Sequence, residues 1–161
     1  MDTRQITRIL MADEYVKPHF VSVCAHDQLN HYISHASVHR QTAAIVFNLD
    51  PIHLPGSHWV AAFLDFNNYA EYFDSTGKPP DPACSELLQR VCSHKTFKYN
   101  NLTLQDSTQV CGQFCVVFLK LRCRGYTFEQ CIKELDFKHN DRYVHNLVQD
   151  YIPNLPFKNK N

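Results

Sequence analysis

A segment that is apolar on nearly every side constrains the fold of this chain most strongly. Residues 111–123, CGQFCVVFLKLRC, place Cys, Phe, Val and Leu around nearly the whole circumference of a helix. A helix that is apolar all round is buried, because it has no polar face to turn towards water. The sequence therefore predicts a core built around one central helix, against which the other elements pack.

Size and composition are those of an ordinary globular domain. The 161 residues include 44% hydrophobic and 20% charged residues, which is enough apolar material for one core. We therefore predict a single domain over residues 1–161, in which residues 153–161 form a mobile tail. No stretch approaches the roughly 18 apolar residues of a membrane span, so no membrane contact is expected.

Charge and cysteine content narrow the cellular setting. Lysine plus arginine total 16, as do aspartate plus glutamate, so the net charge is zero and no strongly basic nucleic-acid surface is predicted, although a local patch stays open. The seven cysteines are an odd number, and the segment MDTRQITRIL lacks the apolar core and cleavage site of a secretory signal. We expect reduced thiols and a protein that is not secreted.

Periodicity predicts helices towards both ends of the chain and strands between them. Predicted strands cover residues 20–24, 43–49, 58–66, 69–73 and 95–104, and predicted helices cover residues 3–13, 85–91, 111–123, 128–135 and 141–151. Residues 25–42 are polar and rich in histidine, which is typical of a loop with one helical turn. Asp2 or Thr3 is the expected cap of the first helix, and Asn140 that of the last. This order of elements indicates an α+β fold.

Cys111 is a candidate nucleophile because it stands at the predicted N-terminus of the buried helix. The free N–H groups there act as about half a positive charge, which favours a thiolate over a thiol. Gly112, the next residue, lets backbone or substrate approach closely. The nearby cysteines Cys115, Cys123 and Cys131 are interpreted as small hydrophobic residues of the core.

Two further candidates lie at the outer ends of a predicted hairpin. His58 opens an apolar strand, and Asp74 follows the strand that returns after a turn of two asparagines. His58 is placed to act as a general base, and an acid at the same end would accept a hydrogen bond from its imidazole and fix its tautomer. Asp65 and Glu71 are competing acids that are less well placed at the strand end.

Gln105 completes the candidate set. It lies six positions before Cys111, at the predicted end of a strand. Its side-chain amide would join the backbone N–H of Cys111 to hold a developing oxyanion. Gln109 and Gln113 are rivals for this role. Gln109 is too near the nucleophile to be spaced across an oxyanion, and Gln113 lies within the helix.

The order of these four residues resembles one group of proteases. The motifs are His-Trp at position 58, Phe-Asp-Ser-x-Gly around position 74, and a Gln at position 105 followed after five residues by Cys-Gly. The group contains the adenovirus protease (adenain) and the proteases specific for ubiquitin-like proteins such as SUMO. The similarity is clearest from about residue 43 to residue 121, where QVCGQFCVVFL resembles the nucleophile motif and GSHWVAAFLD the histidine motif.

The resemblance implies a papain-like fold with permuted chain order. A mixed central sheet is then flanked by helices, and the buried central helix begins at the nucleophile. The implied activity is that of a thiol endopeptidase in which His58 takes the proton of Cys111 and Asp74 orients His58. Gln105 and the backbone N–H of Cys111 form the implied oxyanion hole.

The same resemblance implies a narrow site. Trp59 packs beside the nucleophile and shields it, next to Gly112 at the start of the helix. A narrow channel there excludes side chains, which implies substrates with Gly-Gly or Gly-x-Gly before the scissile bond. The chemistry itself needs no metal and no cofactor.

The compact size resembles the adenovirus-type branch, found in double-stranded DNA viruses and large virus-like DNA transposons. Its members mature capsid or core precursor proteins, which implies polypeptide substrates, a monomer, and a location in the virion and the host nucleus or cytoplasm. The adenovirus enzyme is activated by DNA and by a virion peptide disulfide-linked to a cysteine ahead of the Gln motif. Cys92 lies in that region without clean register and is interpreted as an ordinary thiol, so activation by a peptide or DNA is left open.

Three alternative functions stay open. The first is a protease that removes SUMO- or ubiquitin-like tags. The second is a zinc-binding interaction module built from Cys111, Cys115, Cys123, Cys131 and His139, although no Cys-x2-Cys knuckle is present. The third is a catalytically inactive relative that acts as a binding domain, although all four candidate site residues are present.

Overall fold

The computed structural model describes residues 1–93, 95–106, 109–136 and 141–149, and in this part of the chain five strands form one mixed sheet. The strands lie side by side in sequence order, with the two outer pairs parallel and the two inner pairs antiparallel. They are β1 (Phe20–Ala25), β2 (Thr42–Asn48), β3 (Trp59–Asp65), β4 (Tyr69–Phe73) and β5 (Thr96–Tyr99).

Helices cover both faces of this sheet. One face carries α2 (Leu29–His39), which follows a short 3-10 helix at His26–Gln28, and α3 (Pro82–Val91). The opposite face carries α1 (Thr3–Ala12), α4 (Cys111–Cys123), α5 (Phe128–Asp136) and α6 (Asp141–Gln149).

The inner strands are apolar on both faces because both faces are covered. In β2, Ala44 and Val46 belong to the core on the α4 side, and Ile45 and Phe47 belong to the core on the α2 side. A strand covered on both sides is a continuous apolar run rather than an alternating one. The predicted buried strand at residues 43–49 is therefore confirmed. The observed strand begins and ends one residue earlier than predicted.

The central helix is buried along nearly its whole length. Every residue of α4 from Cys111 to Arg122 is buried. Phe118 stacks face to face on Phe73 of β4, with ring centroids 4.5 Å apart. The predicted α+β fold with a mixed central sheet, flanking helices and a buried central helix is confirmed.

The hairpin of β3 and β4 brings two sequence-distant ends together. Its turn is held by Asp65, whose carboxylate accepts hydrogen bonds from the Asn67 backbone at 3.0 Å and the Asn68 side chain at 2.9 Å. Ala61 of β3 pairs with Phe73 of β4. The residues just outside the hairpin, before β3 and after β4, therefore lie at the same edge of the sheet.

The loop prediction for residues 25–42 was wrong. This segment forms a 3-10 turn and the helix α2. Leu29, Ile33 and Ala36 form a narrow buried face, and the remaining residues are mostly polar, with Val38 exposed to solvent. Three small or medium apolar side chains give a weak helical pattern, and packing against β1 and β2 stabilises the helix instead.

Two other boundaries differ from the prediction. The fifth strand ends at Tyr99, so Gln105 lies in a loop and not at the end of a strand. Helix α3 begins at Pro82, three residues earlier than predicted. Asp81 caps it by accepting hydrogen bonds from the backbone N–H groups of Ala83 and Cys84, each at 3.0 Å.

The ends of the chain agree with the prediction where they are described. Asp2 caps α1 by accepting a hydrogen bond from the Gln5 backbone at 2.8 Å. The predicted cap Asn140, the end of the last helix at Tyr151 and the predicted tail at 153–161 lie outside the described residues. The single domain over residues 1–161 stays a prediction. Among the described helices, none has the length and apolarity required to span a bilayer.

Candidate active site

His58 and Asp74 meet at the open end of the hairpin. His58 immediately precedes β3, and Asp74 immediately follows β4. The imidazole Nε2 of His58 donates to Oδ1 of Asp74 at 2.7 Å. With Nε2 engaged in this way, Nδ1 is the ring nitrogen that remains to serve a nucleophile.

Asp74 is fully buried and ionised. Besides His58, its Oδ1 accepts hydrogen bonds from the backbone N–H of Thr76 at 2.7 Å and the Thr76 hydroxyl at 2.8 Å. Burial by itself raises the pKa of this carboxyl, but the bonds from His58 and Thr76 outweigh it and hold the pKa below its ordinary value. The second oxygen, Oδ2, has no hydrogen-bond partner among the described residues.

A buried asparagine that the sequence analysis did not identify holds the backbone of Asp74. The side-chain oxygen of Asn100 accepts from the Asp74 N–H at 2.9 Å, and its amide nitrogen donates to the Asp74 carbonyl at 2.6 Å. Both polar groups of one peptide segment are therefore anchored by one side chain. Nothing in the local sequence marks Asn100, because the contact spans 26 residues of chain.

Asn48 holds the loop that leads into His58. Its side-chain oxygen accepts hydrogen bonds from the backbone N–H groups of Asp50 at 3.0 Å and Ser57 at 3.1 Å, at the two ends of the loop. Gly56 has φ +88°, and a Cβ there would lie 2.8 Å from the Asn48 side chain. The loop therefore requires glycine at position 56, both for its backbone conformation and for space.

Cys111 is the first residue of α4 and remains 9% exposed. The backbone N–H of Trp59 donates to its sulfur at 3.5 Å. Burial by itself raises the pKa of this thiol. The hydrogen bond and charge of His58, together with the N–H groups of Trp59 and Gly112, outweigh burial and lower the pKa. The expected thiolate environment at a helix N-terminus is thus reinforced by a cationic partner.

The pKa of His58 shifts in the opposite direction. Burial lowers it, but the hydrogen bonds and charges of Asp74 and Cys111 outweigh burial and raise the pKa to about 9. A lowered thiol pKa and a raised imidazole pKa both shift the two groups towards a thiolate and imidazolium pair. Such a pair is a nucleophile with its proton donor already in place.

Gln105 lies against the turn that follows Asp74. Its backbone N–H donates to the Ser75 carbonyl at 3.0 Å, and its side-chain Oε1 accepts from the Ser75 hydroxyl at 2.7 Å. The rivals lie elsewhere. Gln109 is exposed, and Gln113 is buried in α4, with its Nε2 3.4 Å from Nδ1 of His145.

Trp59 lies against the start of α4. A Cβ at position 112 would come within 3.3 Å of the Trp59 ring and 3.2 Å of the Met1 side chain, so glycine at this position favours the close packing. The indole N–H of Trp59 donates to the carbonyl of Met1 at 3.0 Å, which helps to fix the ring. Met1 is a further partner of Trp59 that the sequence analysis did not identify, and the shielding role of Trp59 stays a prediction.

The competing acids have other partners. Both oxygens of Glu71 accept from the guanidinium of Arg122, at 2.6 and 3.1 Å. Asp65 holds the hairpin turn. In the part of the chain that the structure describes, Asp74 is the carboxylate bonded to His58.

The remaining thiols have unreactive surroundings. Burial raises the pKa of Cys24, Cys84, Cys92 and Cys123 to about 12 in each case. Burial also raises the pKa of Cys115 and Cys131. Among the described residues, no group of three or more His, Cys, Asp or Glu side chains is arranged to hold a metal ion, and His139 of the zinc alternative lies outside them.

Comparison with known proteins agrees with this geometry. No family model matches the sequence. A thiol protease of Acanthamoeba polyphaga mimivirus is 28% identical across 99% of this chain and 59% of its own length. A cysteine protease of African swine fever virus is 30% identical across 63% of this chain and 42% of its own length. The chain is therefore similar to viral cysteine proteases. It spans less than two thirds of the length of these curated relatives.

Solved structures of proteases share the fold. The African swine fever virus protease superposes with a TM-score of 0.67 at 18% identity, over 91% of this chain and 65% of that chain. The SUMO protease Ulp1 superposes with a TM-score of 0.52 at 12% identity, over 93% of this chain and 78% of that chain. These similarities support the papain-like fold of the Ulp1 type for this chain.

Proposed function

We propose that the protein is a cysteine-type endopeptidase with Cys111 as its nucleophile. The observation that carries the proposal is the arrangement of Cys111, His58 and Asp74, with the pKa of the thiol lowered and that of the imidazole raised. No other thiol of the described residues has a lowered pKa among the resolved shifts. The named activity of the viral relatives supports the same reaction class.

Acylation begins when the Cys111 thiolate attacks the scissile carbonyl carbon. A C–S bond forms, and the carbonyl electron pair moves onto oxygen, where the Cys111 N–H and the Gln105 amide donate to it. As the intermediate collapses, the C–N bond breaks and the His58 imidazolium gives its proton to the leaving amine. The products of this half-reaction are a thioester and a free amino terminus.

Deacylation reverses the role of His58. The neutral imidazole takes a proton from water as the water oxygen attacks the thioester carbonyl. The C–S bond breaks, the acid product leaves, and the thiolate and imidazolium pair is restored. Asp74 stabilises the imidazolium and holds the ring through Nε2 in both steps. The residues of this chain supply each of these groups, so the proposed chemistry uses no metal or cofactor.

The proposed substrates are polypeptides with small residues before the scissile bond, of the Gly-Gly or Gly-x-Gly kind. The close packing of Trp59 on Gly112, beside the nucleophile, supports a narrow approach. Capsid or core precursors are the first candidate, since the curated relatives are viral. A ubiquitin-like tag is the second, because one African swine fever virus relative is named a SUMO-1 cysteine protease.

The proposed setting is the virion and the host nucleus or cytoplasm, with the protein acting as a monomer. Activation by a virion peptide or by DNA stays a prediction. Cys92, the residue considered for a disulfide to such a peptide, is 1% exposed at the end of α3. A disulfide at this position would therefore require the end of α3 to open.

Selective alkylation tests the nucleophile without a known substrate. An ordinary thiol has a pKa of about 8.5 and is almost wholly protonated at pH 6. We expect iodoacetamide at pH 6, followed by peptide mapping of the seven cysteines, to label Cys111 rapidly and the others slowly. Uniformly slow labelling, unchanged by virion peptides and DNA, would contradict the proposal.

Two substrate panels separate the candidates for the substrate. One contains Gly-Gly and Gly-x-Gly peptides taken from precursor proteins, and the other contains folded ubiquitin-like proteins with a C-terminal extension. Cleavage confined to the first panel favours precursor maturation, and efficient release from the second favours tag removal. The Cys111→Ala variant is the control for contaminating proteases in both panels.

A further inference from the structure

Ser75 is a fully buried polar residue directly after Asp74, and it contacts the segment that carries Gln105. Its carbonyl accepts from the backbone N–H groups of Leu104 at 2.8 Å and Gln105 at 3.0 Å. Its hydroxyl donates to Oε1 of Gln105 at 2.7 Å. Three hydrogen bonds thus join Ser75 to the segment 104–105, and two of them go to Gln105, the residue proposed to stabilise the oxyanion.

The orientation of a glutamine amide decides whether it helps or harms an oxyanion. One limb of the amide is a carbonyl oxygen that accepts, and the other is an NH2 group that donates. Only the NH2 limb stabilises a negatively charged oxygen, whereas the carbonyl limb repels it. A side chain in this role therefore needs a partner that selects one of two nearly isosteric orientations.

We propose that Ser75 is the positioning residue that selects the productive orientation of Gln105. A hydroxyl that donates to Oε1 stabilises the orientation in which the carbonyl limb faces Ser75 and the NH2 limb faces away from it. The backbone bonds from Ser75 fix the main chain at 104–105, from which that side chain extends. This inference rests on the proposed function, because it assigns a role within the same reaction.

The proposal gives the turn after β4 a double role. Asp74 orients His58 through its carboxylate, and Ser75, the next residue, orients Gln105 through its hydroxyl. The turn lies directly on the loop before α4, because a Cβ at Gly77 would come within 2.6 Å of the Leu102 backbone. Adjacent residues of one turn thus orient the general base and the proposed oxyanion donor.

The test separates acylation from simple alkylation in the full chain. Ser75→Ala removes the hydroxyl, and we expect it to lower kcat for a cleavable Gly-Gly peptide about 10-fold with KM little changed. Alkylation of Cys111 by iodoacetamide at pH 6 forms no oxyanion, so its rate should stay within about twofold of wild type. Ser75→Thr, which keeps the hydroxyl, should restore most of kcat.

A matched control removes a neighbouring hydroxyl that does not touch Gln105. Thr103 donates to the Thr76 carbonyl at 3.1 Å, and Thr103→Val should leave both kcat and the alkylation rate within about twofold of wild type. If Ser75→Ala fails to fold, Ser75→Cys replaces it in the test, because it keeps the approximate size of the side chain and a weak hydrogen-bond donor. Its kcat should lie between those of wild type and Gln105→Ala.

A double-mutant cycle supplies the decisive outcome. In a Gln105→Ala background, Ser75→Ala should lower kcat no further, because there is no amide left to orient. Equal effects of Ser75→Ala with and without Gln105 would overturn the proposal and assign Ser75 a purely structural role. An equal loss of alkylation and kcat would overturn it as well. If wild type shows neither reactive Cys111 nor cleavage, the proposed function itself has failed.

Discussion

The two ends of helix α4 both carry buried charges, but the charges are arranged differently. At the N-terminal end, Cys111 faces His58 and Asp74. At the C-terminal end, Arg122 binds both oxygens of Glu71 and also donates to the Tyr126 carbonyl. The helix dipole favours an anion at the first end and a cation at the second, so a thiolate at Cys111 and the guanidinium of Arg122 each stand at the end that stabilises them.

The two ends differ in how completely their groups are paired. The Arg122 guanidinium is bonded to Glu71 and to the hydroxyl of Tyr69, and it packs over the ring of Phe63 at 4.7 Å. At the other end, Asp74 leaves Oδ2 without a hydrogen-bond partner among the described residues, and Cys111 keeps 9% of its surface exposed. A charged group whose hydrogen bonds are all satisfied stabilises the fold. A group that is only partly hydrogen-bonded remains available to react.

The largest expected effect comes from removing the nucleophile. Cys111→Ala should reduce peptide cleavage to background without unfolding the protein, because a small side chain replaces a small thiol. The matched control is Cys123→Ala, at the other end of the same helix, where burial raises the thiol pKa to about 12. That variant should keep its activity. Turnover by Cys111→Ala at the wild-type rate, measured with the same peptide, would exclude the proposed mechanism.

Removing His58 should cost nearly as much activity and should change the pH dependence. In wild type, the His58 pKa of about 9 lies above its unfolded value of 6.5, so the charge is present at neutral pH and is lost as pH rises through about 9. Cleavage should fall in that range as the leaving amine loses its proton donor. Labelling of the Cys111 thiol in His58→Ala should instead require a pH of about 8.5, the ordinary pKa of a thiol.

An exposed histidine in the same loop provides the control for that experiment. His53 lies in the loop that leads into His58 and is exposed. His53→Ala should leave both the cleavage profile and the labelling profile at their wild-type positions. A shift of the labelling profile in His53→Ala equal to that in His58→Ala would mean that loop disturbance, rather than loss of the imidazole, raises the pKa of Cys111.

Neutralising each buried acid in turn compares the two ends directly. Asp74→Asn should lower kcat by up to about 10⁴-fold, since an amide supports the wrong imidazole tautomer and does not stabilise the imidazolium. Glu71→Gln should instead lower the free energy of unfolding by about 3 kcal/mol, because it leaves the Arg122 charge without its counter-ion. Denaturant unfolding and kcat of the folded protein measure both quantities. Equal losses of kcat in Asp74→Asn and Glu71→Gln would contradict the assignment of a catalytic role to Asp74 and a structural role to Glu71.

The smallest of these effects is expected for the oxyanion donor. Gln105→Ala should lower kcat by roughly 10²- to 10³-fold while leaving alkylation of Cys111 at pH 6 unchanged. Gln113→Ala is the matched control, because Gln113 is a buried glutamine of α4 and not of the loop before it. A loss of kcat in Gln113→Ala but not in Gln105→Ala would transfer the role to Gln113.

Much of the fold followed from local patterns in the sequence. The all-round apolar segment of α4 and the apolar run of β2 predicted buried elements within a residue of their observed bounds. The residues of the predicted hairpin placed His58 and Asp74 at one end, where the structure joins them at 2.7 Å. These patterns predicted the elements correctly because a segment buried on all sides consists almost entirely of apolar residues.

The errors occurred where the signal depended on distant parts of the chain. Helix α2 was interpreted as a loop because only three apolar residues mark its buried face. The predicted strand at 95–104 was too long, since its pairing with β4 stops at Tyr99, which lies opposite Tyr72. Asn100, Asn48 and Ser75 were not identified, because each makes its contacts across a turn or a long loop.

By itself, the sequence determined the α+β class and the buried central helix, and it supplied Cys111, His58, Asp74 and Gln105 as candidate site residues. Only the tertiary structure decided which acid bonds to His58, which groups lower the pKa of the Cys111 thiol, and how Ser75 contacts Gln105. Periodicity reports burial, which is a property of one segment. Hydrogen bonds and charge interactions depend on distances of about 3 Å between segments that only folding brings together.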